Sequence, residues 1–251
     1  MTLKYFFTPK DLIPKGTMSW EMYGKEHIMI LLCMAIFLYF MCKIYKSYNE
    51  EKRDKFIKFF AYLIVIQEII KDIVFYFMGT LNYEHLPFHL CGVSIFITLY
   101  YAVKRTYLSK QMLYALVLPG ALSALIFPDW TNFPLIHVSP FNSFTIHLWL
   151  TVIPIVSIYT GELLPDYKSL PKCFLFLVCI GIPDYFLNNM WGTNFLFVST
   201  PSEGSPLMFV ADIFGEKFYI LGMCVLLFIV WNLMYLPFTY IKRKQNSHAN
   251  A

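Results

Sequence analysis

Two histidines and a thiol sit within the stretch "EHLPFHLCGVSIF", residues 84–96, where a proline leads directly into an apolar run. A cysteine becomes a competent nucleophile when an imidazole or a helix N-terminus favours its thiolate. Pro87 suits an early helical position, so Cys91 falls in the first turn of a helix, where unpaired N–H groups and the helix dipole favour an anion. His89 is two residues away and faces another side of that helix. It is a poor direct base for Cys91 and is better read as a donor to an oxyanion. A histidine from another helix is geometrically better, and His147, in "FTIHLWL", is the leading candidate. The chemistry these residues suit is nucleophilic attack by the Cys91 thiolate, with His147 as its partner base.

Supporting groups follow from depth and spacing. Glu68 and Asp72 are four residues apart and share a helix face, and Lys71 is three from Glu68. One reading is an ion pair that neutralises itself within the helix. The other is a Glu68 that faces a cavity and orients a histidine. His27, Asp129, Asn189 and Asn194 complete the candidate set, with Asn194 and the backbone near Gly192 and Thr193 as further oxyanion donors. His27, His89 and His147 are chemically able to bind zinc, but no spacing requires it, and neither a metal nor a cofactor is expected. Five of the six cysteines lie within apolar runs and none forms a C-x-x-C pair, so a disulfide framework is not expected.

The elements that must position these residues are membrane spans. Of 251 residues, 58% are hydrophobic, 19% aromatic and 14% charged, and the mean hydropathy is +0.55. Soluble domains carry about 25% charged residues. Crossing a bilayer takes about 20 mostly apolar residues, and seven segments meet or approach that: 27–45, 57–79, 88–104, 111–128, 143–161, 172–189 and 217–240. The second is interrupted by Gln67, Glu68, Lys71 and Asp72. The fourth is short, which suggests a steep or re-entrant path, and a six-span count that omits it also fits. The expected fold is an all-α, polytopic transmembrane helix bundle of about seven spans. Residues 1–26 form an interfacial segment, 27–240 the bundle and 241–251 a basic tail.

Lysine and arginine placement orients it. Fourteen basic residues fall in the 43–58, 104–110 and 168–172 connections and the tail, against five in the N-terminal segment and at Lys217. The N-terminus is therefore expected outside and the C-terminus in the cytoplasm. No cleavable signal peptide is read in the first twenty residues. On this topology His27, Asp72, His85, His89, Cys91, Asp129, His147, Asp184, Asn188, Asn189 and Asn194 all lie toward the outer side, with Glu68 near mid-membrane.

The blocks "HLPFHLCGVSIFI", "ALIFPDW", "FTIHLWLTVIPI" and "NNMWGTNFLFVSTP" resemble, in order, those of the YwaF-like family of bacterial integral membrane proteins, over about residues 20–240. Phe195 stands where that pattern has Tyr. The resemblance extends to the animal transmembrane protein 164, a cysteine-dependent acyltransferase of phospholipids. It implies a plasma-membrane, multi-pass protein with Cys91 as nucleophile, His147 as its histidine and a membrane lipid as substrate. No nucleic-acid partner is expected. The alternative is a small-solute or lipid transporter or binding protein that uses a polar cavity of Glu68, Asp72 and Asp184. A ligand-sensing receptor is a third reading, and the lack of a cytoplasmic domain counts against it.

Overall fold

A computed structural model of the chain describes residues 3–14, 17 and 20–249, with 241–249 described by backbone alone. Among the described residues every regular element is helical. Helix α1 (Lys25–Ser47) has 23 residues, about 34 Å at 1.5 Å per residue, enough to cross hydrocarbon about 30 Å thick. It reverses through Tyr48 and Asn49 into α2 (Glu50–Phe77). The Asn49 side chain caps α2 by accepting the Lys52 N–H at 3.0 Å. Arg53 reaches back to the Tyr45 and Lys46 carbonyls at 3.2 and 3.0 Å, supplying acceptors at the end of α1 with the donors they lack.

Helix α3 (Leu90–Lys104) stops at Arg105, which adopts a left-handed conformation (φ 46°). Thr106 caps α4 (Tyr107–Ile126) through the Ser109 N–H. The centre of α4, Leu113–Val117, is a π-helical turn in which all five residues are buried. Trp231 donates its indole N–H to the Ala115 carbonyl there at 2.7 Å, and the Tyr114 hydroxyl donates to Met234 O at 2.6 Å. Such turns loosen the local backbone ladder, and inside a membrane the freed acceptor needs a partner from a neighbouring helix. Helices α5 (Val138–Tyr159), α6 (Leu170–Trp191) and α7 (Pro206–Ala249) complete the bundle. Gly192 ends α6 with φ 67°, and Gly215 (φ 66°, ψ 169°) breaks α7 near its start.

Helix α5 lies against α1, α2 and α4, and α3 packs on α2 and α4. The core is formed largely by Ile57, Ile64, Tyr101, Leu113, Leu116, Leu150, Ile153 and Trp231, each essentially inaccessible to solvent. Helices α1, α6 and α7 keep most of their apolar surface on the outside, as helices that face lipid do.

The protein is thus a polytopic all-α bundle. Among the described residues, six helices are long and apolar enough to cross a membrane by length and composition. Helix α2 is long enough at 28 residues but is diluted by charge, as its sequence indicates. The fourth segment is one of these six, since α4 is a continuous helix in the centre of the bundle. The stretch 190–216, between the last two expected spans, is partly helix, since α7 begins at Pro206.

The two ends of the bundle differ. At the basic end Glu162 accepts from Tyr45 Oη at 2.8 Å and pairs with Arg53 at 3.1 Å and Arg105 at 3.3 Å. At the opposite end lie the candidate site residues.

Candidate active site

The segment before α3 is shaped by close contact. An added Cβ on Gly92 would meet the Pro87 backbone at 2.6–2.9 Å, so only glycine lets the Pro87 turn fold onto the first turn of α3. That turn carries Cys91 as the second residue of the helix, with His89 as its cap position. Asn82 supports the approach by accepting the Glu84 N–H at 3.0 Å.

Helix α5 is set against α2 by Gln67, whose amide donates to Asn142 O, Asn142 Oδ1 and Thr145 Oγ1 at 2.7–3.0 Å. His137 caps its start: its Nδ1 accepts the Ser139 N–H at 3.1 Å and its Nε2–H donates to the Thr8 carbonyl at 3.0 Å. Val138 N–H donates to Phe6 O at 3.0 Å, and Trp20 donates to Phe133 O at 2.9 Å. The N-terminal segment therefore straps the 127–137 loop onto the bundle.

Between α2, α3, α5 and that loop lies a cavity of about 450 Å³, within the range of small-molecule and cofactor sites. Cys91, His147, Glu68, Lys71, His85 and Asp129 all line it, alongside Lys10, Ser143 and Trp130. Its walls also include Phe75, Met78, Ile95 and Ile146, so it is part polar and part apolar.

The protonation of His147 follows from its partners. Nδ1 lies 2.7 Å from the Ser143 carbonyl oxygen. A carbonyl can only accept, so the hydrogen is on Nδ1 and the lone pair is on Nε2. Nε2 has no hydrogen bond among the described residues, leaving it free to take a proton. Trp130 stacks on the same ring.

Glu68 takes the self-neutralising arrangement. Lys71 Nζ lies 2.5 Å from Glu68 and 3.1 Å from Asp72, and among the described residues Glu68 bonds to no histidine. The lysine itself stands on the cavity wall. Asp129 opens onto the cavity while protein surrounds it. Burial holds its carboxyl above the usual range, partly offset by a hydrogen bond from its own backbone N–H and by the nearby His89.

Other candidates stand elsewhere. His89 is off the cavity wall: Nε2 is 3.3 Å from Glu84 Oε2 and the ring packs on Phe195 and Phe197. His27 is fully buried and satisfied, accepting the Tyr23 N–H at 3.0 Å and donating to Leu125 O at 2.9 Å, so it ties the start of α1 to the end of α4. Asp72 borders a separate, open groove with Ile73, Tyr76, Phe77 and Leu81. Asn189 is exposed and, among the described residues, its side chain bonds only to Tyr185 O.

Asn194 organises its own loop, donating to Thr200 O and Oγ1 and accepting the Ser199 and Thr200 N–H groups. Its backbone N–H is taken by Glu84, so it is no free oxyanion donor. Asp184 is buried in α6, away from the cavity. Among the described residues, no group of three or more His, Cys, Asp or Glu is placed to hold a metal ion.

The sequence reading missed His137, Ser143 and Lys10 as parts of the site. "NSFTIH" places Ser143 one helical turn before His147, which is the signal that a carbonyl lies within reach of its ring.

A model of the TMEM164 family matches residues 22–235. That range holds α1 to α6 and most of α7, together with nearly all of the cavity wall. No curated protein and no solved structure matches the chain.

Proposed function

The chain belongs to the TMEM164 family, and from that premise we propose that it is a cysteine-dependent lipid acyltransferase or acyl hydrolase. The observation that carries the reading is that Cys91 and His147, on different helices, line one cavity with the His147 Nε2 lone pair free. In the first step Nε2 takes the thiol proton as sulfur attacks the carbonyl carbon of a lipid ester. The tetrahedral intermediate expels the lipid alkoxide, which receives the proton from His147 and leaves as an alcohol. In the second step Nε2 takes a proton from an acceptor hydroxyl or water, whose oxygen attacks the thioester. The acyl group leaves on that oxygen, and the Cys91 thiolate recovers the proton. The membrane end holding the cavity is the one that charge asymmetry assigns to the outside, so the substrate is a lipid of that leaflet.

Solute translocation is less well supported, because Asp72 and Asp184 do not share the cavity with Glu68. Para-nitrophenyl laurate, added to the full chain in detergent, tests the enzyme. The expected result is a burst of one nitrophenolate per chain and a laurate adduct, seen by intact mass, that hydroxylamine removes. Cys91→Ala abolishes the adduct, and His147→Gln slows its formation by about 10²–10⁴-fold. An adduct that survives in Cys91→Ala, or none on the unaltered chain, sinks the reading.

A further inference from the structure

The cavity wall includes the Trp130 indole, which packs on His147 and Phe144. Trp130 lies parallel to His147, with planes 8° apart and centroids 6.0 Å apart. It meets Phe144 edge-on at 5.7 Å and 87°, and Phe144 is buried against Trp20. Trp20 and Trp231 each donate their indole N–H to a carbonyl. The Trp130 N–H is buried and has no acceptor among the described residues. Leaving such a donor unmatched is costly, so it is not the N–H that holds the indole in this place. What the ring supplies is its face.

An imidazole tethered only through Nδ1 keeps torsional freedom, because its Cβ–Cγ rotor is broad. Closing one face with an indole removes much of that freedom and fixes the direction of Nε2. The same face meets a second need. When Nε2 takes a proton the ring becomes a cation, and tryptophan is the best aromatic partner for a cation in a desolvated setting.

We propose that Trp130 is a positioning residue for His147, holding the imidazole with Nε2 turned into the cavity and steadying the imidazolium formed when the Cys91 proton is taken. For Trp130 this role rests on His147 acting as the base. Asp129, the preceding residue, opens onto the same cavity, so substitutions at 130 are compared at one fixed pH.

The test compares Trp130→Phe and Trp130→Leu in the full chain in detergent, with two readouts. With para-nitrophenyl laurate, Trp130→Leu lowers kcat by about 30-fold and leaves KM within about twofold, while Trp130→Phe stays within about threefold of the parent. With diethyl pyrocarbonate, the rate of His147 carbethoxylation, read by peptide mass, changes several-fold in Trp130→Leu and returns toward the parent in Trp130→Phe. Carbethoxylation needs only a free imidazole nitrogen. It therefore decides the positioning role even when the unaltered chain forms no laurate adduct, an outcome that removes only the acyl-transfer reading. An unchanged kcat in Trp130→Leu overturns the proposal. So does a rise in KM alone, an unchanged carbethoxylation rate, or a Phe variant as impaired as the Leu variant.

Discussion

Glu84 and Asn194 are joined by a 3.0 Å hydrogen bond from the Asn194 backbone N–H to the Glu84 carboxylate, whose other oxygen lies 3.3 Å from His89. One side chain thus ties the approach to Cys91 to the loop after α6. Asn194 itself holds that loop closed through Thr200 and Ser199. Glu84→Ala and Asn194→Ala are each expected to raise hydrogen exchange across 192–200. Glu84→Ala removes the acceptor of the Asn194 backbone N–H, and Asn194→Ala removes the side-chain bonds that hold the same loop in place to present it, so a double-mutant cycle gives a coupling of about 0.5–3 kcal/mol. Strict additivity would refute the link.

The contact between Gly92 and Pro87 leaves no room for a methyl group. Gly92→Ala is expected to force the Pro87 turn off α3 and to destabilise the protein by about 1–3 kcal/mol. Iodoacetamide labelling of Cys91, followed by peptide mass, reports the displacement. Unchanged labelling kinetics together with an unchanged melting temperature would mean that the turn yields without cost.

His137 makes the strap pH-dependent. Burial lowers its pKa from 6.5, only partly offset by its bond to the Thr8 carbonyl. A histidine whose folded pKa lies below its unfolded value binds protons more readily when unfolded, so its contribution is full above about pH 6.5 and is lost as pH falls below it. Protonation at Nδ1 also removes the acceptor for the Ser139 N–H and puts a positive charge at the start of α5. Stability is expected to fall between pH 6.5 and 5 more steeply in the parent than in His137→Asn, which retains a capping side chain. Parallel melting curves across that range would count against it.

At the basic end, Glu162 is shared by Arg53, Arg105 and Tyr45. The Glu162, Arg53 and Arg105 side chains are about a quarter exposed, so solvent screens part of their interaction. Glu162→Gln is expected to cost about 1–3 kcal/mol, less at high salt, while Cys91 alkylation at the far end of the bundle stays unchanged. A variant as stable as the parent at low salt would show the network to be ornamental.

Much of the bundle is legible in the chain because a lipid-spanning helix must be long and apolar, and six of the seven helices are. The cysteine and histidine are legible for a related reason: polar groups within or beside apolar runs are costly, and several of them gather at one end of the spans. Their neighbours are harder to read. Whether Glu68 meets a histidine or Lys71 depends on rotamers that spacing leaves open, since both partners fit one helix face. His89 and Asn194 sit at the correct depth, but His89 turns to Glu84 and the Phe195–Phe197 segment while the Asn194 side chain turns into its own loop, and depth says nothing about direction. The strap from Phe6 and Thr8 to α5 involves backbone acceptors, which every residue carries, so no pattern of side chains announces it.

The π turn at Leu113–Val117 has a consequence for the phase of α4. Such a turn holds one more residue than an α-helix needs, and each residue advances the helix by about 100°. Deleting one residue there would let the ladder close as ordinary α-helix. Everything beyond would then rotate by that angle, carrying the end that docks on His27 and the Asp129–Trp130 corner away from α5, while the Trp231 indole would lose its acceptor. The extra residue works as a built-in offset that lets the two halves of one span meet different neighbours.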